Sequence, residues 1–353
     1  MTNTNGQQGA TMTSMERVLT TLGHQEPDRV PLFLLVTMHG AKELGLSIQE
    51  YFSKAEYVVE GQLRLREKYQ HDCLNPFFYA AMETEAFGAE TIWFKDGPPN
   101  SGSLIIRSEK DIRTLQVPEI EDSCLNKVLD AIRSLKKVAK DEVPILGVVL
   151  SPFSLPVMQM GFAAYIELMY EQPKLFHQLI EVNQEFCVRW ANAQVQAGAT
   201  AICYFDPLTS PSMTAPGVHL ETGFRIAKET LTQIESPTAV HLASGRTLSI
   251  VENVIATGTA VLGISAMEDL AEVKAVCRNR ITMLGNLNGI EMCRWTPQQA
   301  EEKVKEAIKK AGAGGGFILS DNHGEIPWQV SDEILLAISE AAHQWGKYPI
   351  RDL

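Results

Sequence analysis

The stretch "PTAVHLASGRT" (237–247) begins as an apolar run and turns polar at a single histidine, His241. Several other short apolar runs along the chain end in the same way. Longer amphipathic stretches with helical spacing separate these runs, for example "AEYVVEGQLRLREKY" (55–69) and "TPQQAEEKVKEAIKKA" (296–311). This alternation is typical of βαβ units built around a parallel sheet.

Eight of the apolar runs are predicted strands: 31–36, 73–78, 144–150, 200–206, 238–242, 260–264, 281–285 and 316–320. Eight strands in a chain of 353 residues fit an α/β fold of the (β/α)8 TIM-barrel type. We expect an N-terminal helical segment and an insertion after the second strand, at about 79–143. No Pro/Gly/Ser-rich linker divides the chain, so the prediction is a single barrel domain over 15–353, after a disordered leader at 1–14.

The amino-acid composition and charge of the chain argue against some classes of function. The chain is 45% hydrophobic, is 21% charged and carries a formal net charge of −12. An acidic chain with interleaved charges lacks the electrostatic pattern of a nucleic-acid or membrane-surface binder. Its six cysteines are scattered without a C-x-x-C pair, and its longest apolar runs are too short to span a membrane. We therefore expect a cytoplasmic protein whose partners are small molecules or proteins.

Polar residues follow the predicted strands and carry the functional information. In a barrel, the carboxyl ends of all strands open onto one face, where the active site lies. The sequence thus predicts that one mouth gathers residues from distant parts of the chain: His39, Asp206, His241, Asn286, Asn288, Asp321 and His323.

Four of the candidates have the donor atoms of a metal site. Asp206, Glu221, His241 and His323 offer two carboxylates and two imidazoles, which suit zinc in a tetrahedral oxygen and nitrogen site. Taken alone, His241 is as readily a core histidine or a base as a ligand.

The chain resembles the uroporphyrinogen decarboxylase superfamily along nearly its whole length. The segments that carry the resemblance keep the family's order: "MERVLTTLGHQEPDRVPLFLL" (15–35), "LGVVLSPFSLPVMQMGF" (146–162), "AGATAICYFDPL" (197–208), "VHLASG" (240–245), "GISAMEDLAEVK" (263–274), "MLGNLNG" (283–289) and "LSDNHGEIP" (319–327). The resemblance is strongest to the corrinoid-dependent methyltransferases, which include methylcobalamin:coenzyme M methyltransferases and O-demethylase methyltransferases. It implies a (β/α)8 barrel.

Departures from the family pattern argue against decarboxylation. The decarboxylases hold the acidic side chains of a tetrapyrrole with an arginine-rich segment, whereas "FLLVTMHGAKELG" (33–45) contains no arginine. Their catalytic aspartate is also missing, and Tyr79 to Met82 occupy its neighbourhood. A polyanionic porphyrinogen would find no basic clamp.

The zinc ligands of the thiol-methylating relatives have changed as well. Those relatives hold zinc with H-x-C and a distant cysteine, which fall here on His241, Ala243 and His323. Either zinc is lost or its ligands are now oxygen and nitrogen, which make the metal a harder Lewis acid suited to an ether oxygen. The order Asp206, Glu221, His241 resembles the ligand pattern of O-demethylase methyltransferases.

The resemblance implies the first methyltransferase of an O-demethylase, which moves a methyl group from a methyl ether, in particular an aryl ether, to the Co(I) corrinoid of a partner protein. Asp206, His241 and His323 would be catalytic, with His323 as a fourth zinc ligand or as a proton donor. The substrate would be oriented by rim residues: His39, Tyr204, Asn286, Asn288 and Asp321. The corrinoid (cobalamin) is assigned to a partner because the chain has no D-x-H-x-x-G pattern.

Two alternatives stay open at this point. One is a methylcobalamin-dependent methyltransferase acting on a thiol or another small acceptor, and the other is a non-catalytic barrel that binds a tetrapyrrole or corrinoid. The sequence leaves the methyl donor, the direction of transfer and the oligomeric state open, a homodimer included.

Overall fold

The computed structural model describes residues 12–350. The predicted leader lies outside the described residues except for its last three, and these are structured. Thr13 is the N-cap of the first helix: its hydroxyl accepts the Glu16 N–H at 3.1 Å, and the Glu16 carboxylate accepts the Thr13 N–H at 2.8 Å. This reciprocal capping box starts the helix at Ser14, inside the range predicted as leader.

Helices form the outer layer of the fold. In chain order they are α1 (Ser14–Leu22), α2 (His39–Leu44), α3 (Ile48–Tyr51), α4 (Ala55–Tyr69), α5 (Ala81–Ala86), α6 (Glu109–Thr114), α7 (Asn126–Ala139), α8 (Leu155–Met160), α9 (Phe162–Glu171), α10 (Pro173–Ala197), α11 (Pro216–Glu221), α12 (Gly223–Leu231), α13 (Val251–Ile255), α14 (Leu270–Cys277), α15 (Gly289–Met292), α16 (Pro297–Ala311) and α17 (Asp332–Trp345). Within residues 12–350, none of these helices has the length and hydropathy to cross a bilayer.

A six-stranded parallel sheet forms the centre. A short antiparallel hairpin, β1 (Thr91–Ile92) with β2 (Asn100–Ser101), lies in the predicted insertion. The sheet strands are β3 (Leu146–Leu150), β4 (Ala201–Phe205), β5 (Thr238–His241), β6 (Val261–Gly263), β7 (Thr282–Leu287) and β8 (Phe317–Asp321), paired in that order. The α/β barrel class and six of the eight predicted strands are confirmed.

The first two predicted strands, 31–36 and 73–78, are not regular strands. Each makes a single bridge, Leu32 with Leu319 of β8 and Leu74 with Ile145 just before β3. The two segments are joined by the Asp72 N–H, which donates to the Leu32 carbonyl at 2.7 Å. These bonds close the ring between β8 and β3 and complete a barrel from six strands and two irregular segments.

Side-chain chemistry explains why the regular ladder stops in these segments. The Leu32 N–H donates to the Asp72 carboxylate at 2.9 Å rather than to a neighbouring strand. Pro31 and Pro76 have no N–H to donate. The ends of the barrel sheet are therefore held by one buried carboxylate, at residues that the apolar pattern alone predicts to be strand.

Candidate functional site

The barrel encloses a cavity of about 420 Å³. Its wall is formed mainly by apolar side chains of the central strands, including Leu146, Val148, Cys203, Ala239, Leu284 and Ile318. Residues of α1 line the end near the amino termini of the strands, and His323 and Glu325 line the opposite, carboxyl end. Among the described residues that line the cavity there is no lysine or arginine. The middle of the cavity is therefore uncharged, and the titratable side chains of His323 and Glu325 lie at its carboxyl end.

Small side chains leave this space open. Along β4, Ala201, Cys203 and Phe205 are partly accessible, while the residues between them are buried. Ala239 on β5 is likewise partly accessible. The interior of a (β/α)8 barrel is normally filled by layers of bulky side chains. An empty apolar cavity costs roughly 2 kcal/mol of folding free energy per 100 Å³, so a bound apolar molecule would stabilise the fold.

The loop after β8 builds the polar end. The Asp321 carboxylate accepts the N–H groups of His323 and Gly324 at 2.8 and 2.9 Å. The His323 Nδ1 contacts the Ser244 hydroxyl, and its Nε2 has no partner among the described residues. Burial lowers the pKa of His323, so its ring is neutral at neutral pH. The Asp321 carboxylate thus positions the loop, and its contact with the substrate stays a prediction.

Glu325 is the titratable carboxyl group of the cavity wall. Burial raises its pKa to about 7, against the lowering effect of a hydrogen bond from the Thr37 hydroxyl, while the charge of Asp321 raises it further. A carboxyl group with this pKa holds a proton at neutral pH and can release it. Perturbed carboxyls in clefts are typical of acid–base sites.

His241 is the last residue of β5 and stacks on the cavity residue Phe205, with ring centroids 5.2 Å apart and an interplanar angle of 12°. The Ala243 N–H donates to its Nδ1 at 3.1 Å. Burial, with the nearby His323, lowers the pKa of His241 to about 4, so the ring is neutral. With Nδ1 accepting, the ring proton is on Nε2, which makes Nε2 a donor without a partner among the described residues.

We expect Gly263→Ala to displace His241. A Cβ at this position would lie 2.6 Å from His241 Cδ2 and 3.0 Å from Cγ. Because the ring is held by stacking and by a hydrogen bond, the substitution should lower the free energy of unfolding by about 1–3 kcal/mol. Urea unfolding measures the change. Gly217→Ala is the control, because no atom lies within 4 Å of its added Cβ. A variant at 263 as stable as the wild type would contradict this placement of His241.

Asp206 and Tyr204 do not line the cavity. One Asp206 oxygen accepts from the hydroxyls of Ser151 and Ser154 at 2.7 and 2.6 Å, and the other is buried without a partner among the described atoms. Burial raises its pKa to about 6. Tyr204 is completely buried. Side chains alternate between the two faces of a strand, and on β4 the side chains of Cys203 and Phe205 face the cavity. The predicted contact of Tyr204 with substrate is not supported.

The predicted zinc ligands do not fit a zinc ion as they are arranged. Glu221 is exposed at the end of α11. His241 Nε2 carries a proton, whereas a metal ligand needs a free electron pair on that nitrogen and a second-shell acceptor for the other. Within 12–350, no three His, Cys, Asp or Glu side chains are grouped so that they could hold a metal ion. The zinc set stays a prediction for direct measurement of metal content.

The remaining predicted rim residues have other local partners. His39 lies beside Trp328, with ring centroids 6.3 Å apart, and burial lowers its pKa to about 3. Asn286 donates to the carbonyl of Ser265 at 2.8 Å. Asn288 is the N-cap of α15. None of the three lines the cavity, so of the predicted site residues only His323 does.

Sequence reasoning missed Glu325. A signal was available, because Glu325 lies four residues after the end of β8, in the same loop as His323. It also missed Phe205, whose ring lines the cavity and stacks on His241.

Comparison with known proteins agrees with this fold. The family model for uroporphyrinogen decarboxylase (URO-D) matches residues 13–345. Uroporphyrinogen decarboxylases of Hahella chejuensis and Idiomarina loihiensis are 23% and 25% identical over 93% and 94% of this chain and 96% of each relative. A methyltransferase from Methanosarcina mazei has a similar fold, with a TM-score of 0.85, 20% identity and coverage of 94% of this chain and 99% of that chain. A B12-independent methionine synthase from Shewanella sp. W3-18-1 gives a TM-score of 0.55, 13% identity and coverage of 84% and 89%. These matches confirm the predicted superfamily resemblance.

Proposed function

The chain belongs to the uroporphyrinogen decarboxylase family, and from that premise we propose that it is a methyltransferase of the family rather than a decarboxylase. Its substrate would be a methyl ether with an apolar body. The methyl group would pass to the reduced cobalt, Co(I), of a corrinoid carried by a partner protein. The carbon–oxygen bond breaks, cobalt supplies the electron pair for the new bond, and the released oxygen takes up a proton.

The cavity is the observation that carries this proposal. A porphyrinogen substrate presents several carboxylates, and an enzyme needs cations to hold them. The described lining residues include no lysine or arginine, and the only carboxyl group among them, that of Glu325, would repel an anion when ionised. An uncharged ether with an apolar body suits this wall, because burial of its surface is favourable without ionic partners.

The position of the decarboxylases' catalytic aspartate supports the same choice. Tyr79, in the corresponding neighbourhood of this chain, is a buried phenol whose hydroxyl donates to the Glu85 carboxylate at 3.0 Å. Burial and the charge of Glu85 raise the pKa of Tyr79 far above its usual value. The phenol therefore stays neutral and cannot replace an ionised aspartate. The fold likeness to the Methanosarcina mazei methyltransferase is in keeping with methyl transfer.

The chain's own residues supply three contributions to the reaction. The apolar wall excludes water from the ether. His323 Nε2 is free to contact the substrate at the carboxyl end of the barrel. Glu325, protonated below about pH 7, donates a proton to the leaving oxygen. No step of this scheme is assigned to zinc, and the zinc content is measured separately.

The test measures methyl transfer from methoxybenzene to free cob(I)alamin. The reaction is monitored by the loss of cob(I)alamin absorbance and by the release of phenol. We expect turnover by the wild type, and we expect His323→Ala to lower its rate by about 10²-fold or more. His177→Ala, on the exposed face of α10, is the matched control and should leave the rate unchanged. Decarboxylation of uroporphyrinogen without any ether demethylation would refute the proposal.

Zinc content is measured on the same preparations. About one zinc per chain, lost in the His241→Ala variant, would restore the metal to the mechanism. Unchanged methyl transfer by Asp206→Ala and His241→Ala variants would remove both residues from any metal or catalytic role.

A further inference from the structure

The geometry points to an unbranched apolar chain as the body of the substrate, lying along the axis of the barrel with its polar head at His323 and Glu325. This inference names the substrate class of the proposed function and rests on it for the identity of the head group. The chain-binding site itself rests on the shape and chemistry of the cavity.

The cavity is long. Its wall begins at the amino ends of the strands, with Thr200 and Ala260, and continues to Leu150 and Phe205 at the carboxyl ends. Five residues of strand separate Thr200 from Phe205, which corresponds to roughly 16 Å at the rise of a parallel strand. A single aromatic ring would occupy only part of that length. The remaining length requires a second apolar portion in the ligand.

The barrel wall also limits the width of a ligand. The interior of an eight-stranded barrel is just wide enough to be filled by side chains. Room for a ligand exists here because Ala201 and Ala239, on neighbouring strands, have small side chains. A slender alkyl chain can follow such a space, and we expect fused rings to fit it less well. Nothing in the described middle of the wall is charged, so the chain needs no polar group along its length.

The two ends of the cavity differ, which fixes the direction of the ligand. Met15, Val18 and Leu22 of α1 line the end near the amino termini of the strands. They offer only apolar contacts to the tail. The opposite end offers the imidazole of His323 and the carboxyl of Glu325 to the head. The α1 end also sets an upper limit to the chain length.

The test uses alcohols that carry no methyl ether, so that binding is measured apart from methyl transfer. Hexanol, decanol, hexadecanol and naphthol are titrated into the full-length protein by calorimetry and in thermal unfolding. We expect decanol to bind most tightly and to raise the melting temperature, because it fills the length of the cavity. Equal binding of naphthol, or no binding of decanol, would overturn the inference.

Ala239→Leu tests the location of the site. The added side chain would fill the middle of the cavity, so we expect a higher melting temperature without ligand and a loss of decanol affinity of roughly tenfold or more. Ala164→Leu, on the exposed face of α9, is the matched control and should change neither. Ala201→Leu repeats the test from β4 if the first variant folds poorly. Unchanged decanol affinity in a folded variant would refute the site.

The outcomes separate this inference from the proposed function. Demethylation of methoxybenzene without decanol binding would overturn the chain-binding site and leave methyl transfer intact. Decanol binding that is lost in Ala239→Leu, without demethylation of any ether, would sustain the site and refute methyl transfer.

Discussion

Glu325→Gln is expected to lower the rate of methyl transfer by about 10²–10⁴-fold, the range typical of a lost general acid. The carboxyl group lines the cavity and is the group there that can both hold and release a proton at neutral pH, since burial raises its pKa to about 7. Glutamine keeps the shape and an oxygen for the Thr37 hydroxyl but has no acidic proton.

The protonation of Glu325 also predicts how the rate of methyl transfer changes with pH. Glu325 donates only when protonated, so the wild-type rate should fall as the pH rises through about 7. The Glu325→Gln variant should lose most of its rate, and the remaining rate should no longer fall as the pH rises through about 7. Glu302→Gln, at an exposed position of α16, is the matched control. If the Glu325→Gln variant kept both the wild-type rate and its fall above about pH 7, the proton would come from another group.

Stability measurements test whether a loss of rate in the Glu325→Gln variant is caused by unfolding. A carboxyl whose pKa is raised on folding stabilises the protein fully below its unfolded value of 4.5, and this contribution is lost as the pH rises through about 7. Glutamine imitates the protonated form at every pH. The variant should therefore be at least as stable as the wild type at pH 8, and a loss of activity there would not reflect unfolding.

Asp72→Asn is expected to lower the free energy of unfolding by about 3–5 kcal/mol, because removing one partner of a buried ion pair leaves uncompensated charges inside. Asp72 is only 1% exposed. Its carboxylate accepts from Arg17 Nη1 at 2.7 Å, from Arg29 Nη1 at 2.7 Å and from Arg29 Nη2 at 3.0 Å. It also accepts the Ser14 hydroxyl and the Leu32 N–H, both at 2.9 Å. Asparagine cannot satisfy all of these donors.

The same carboxylate predicts how stability responds to acid. Burial alone would raise the pKa of Asp72, but the charges of Arg29 and Arg17 hold it below its usual value. Its contribution is therefore present above pH 3.8 and is lost as the pH falls through the lower, folded value. Urea unfolding at pH 7 and at pH 3 should show a smaller difference for the variant than for the wild type.

Asp130→Asn on α7 is the matched control for this prediction. Asp130 pairs with Arg133 at 2.9 Å, but both side chains are about half exposed. Such surface pairs contribute about 0–1 kcal/mol. If Asp72→Asn were no more destabilising than Asp130→Asn, the buried network could not be what closes the barrel.

Much of the fold could be predicted from local pattern. Apolar runs that end in polar residues predict the six strands of the central sheet, because each run is buried by neighbours on both sides of the barrel wall. The two failures, at 31–36 and 73–78, both lie beside the buried carboxylate of Asp72. The side chain of Asp72 takes the Leu32 N–H that a ladder would use, and this contact joins residues 40 positions apart. No periodicity within either run signals it.

The site was less predictable, and the reason is geometric. His323 lines the cavity and Asp206 does not, although both follow strands. Alternation along β4 places Asp206 on the opposite face from Phe205, and this was readable from the sequence. The capping role of Asn288 and the Nδ1 contact of His241 depend on turn conformations that the residue types do not determine.

Closure of the barrel by the first residues of the chain has a consequence for biosynthesis. Leu32 bridges Leu319, and Thr37 contacts Glu325, 288 positions away. During synthesis the apolar run "VPLFLLV" (30–36) can meet Asp72 early, but it lacks its other neighbour, β8, until Phe317–Asp321 have left the ribosome. Contacts this distant in sequence slow folding, and exposed apolar runs promote aggregation meanwhile. We therefore expect the yield of soluble protein to depend strongly on holdase chaperones and on slow translation, and truncation before β8 to give insoluble chains.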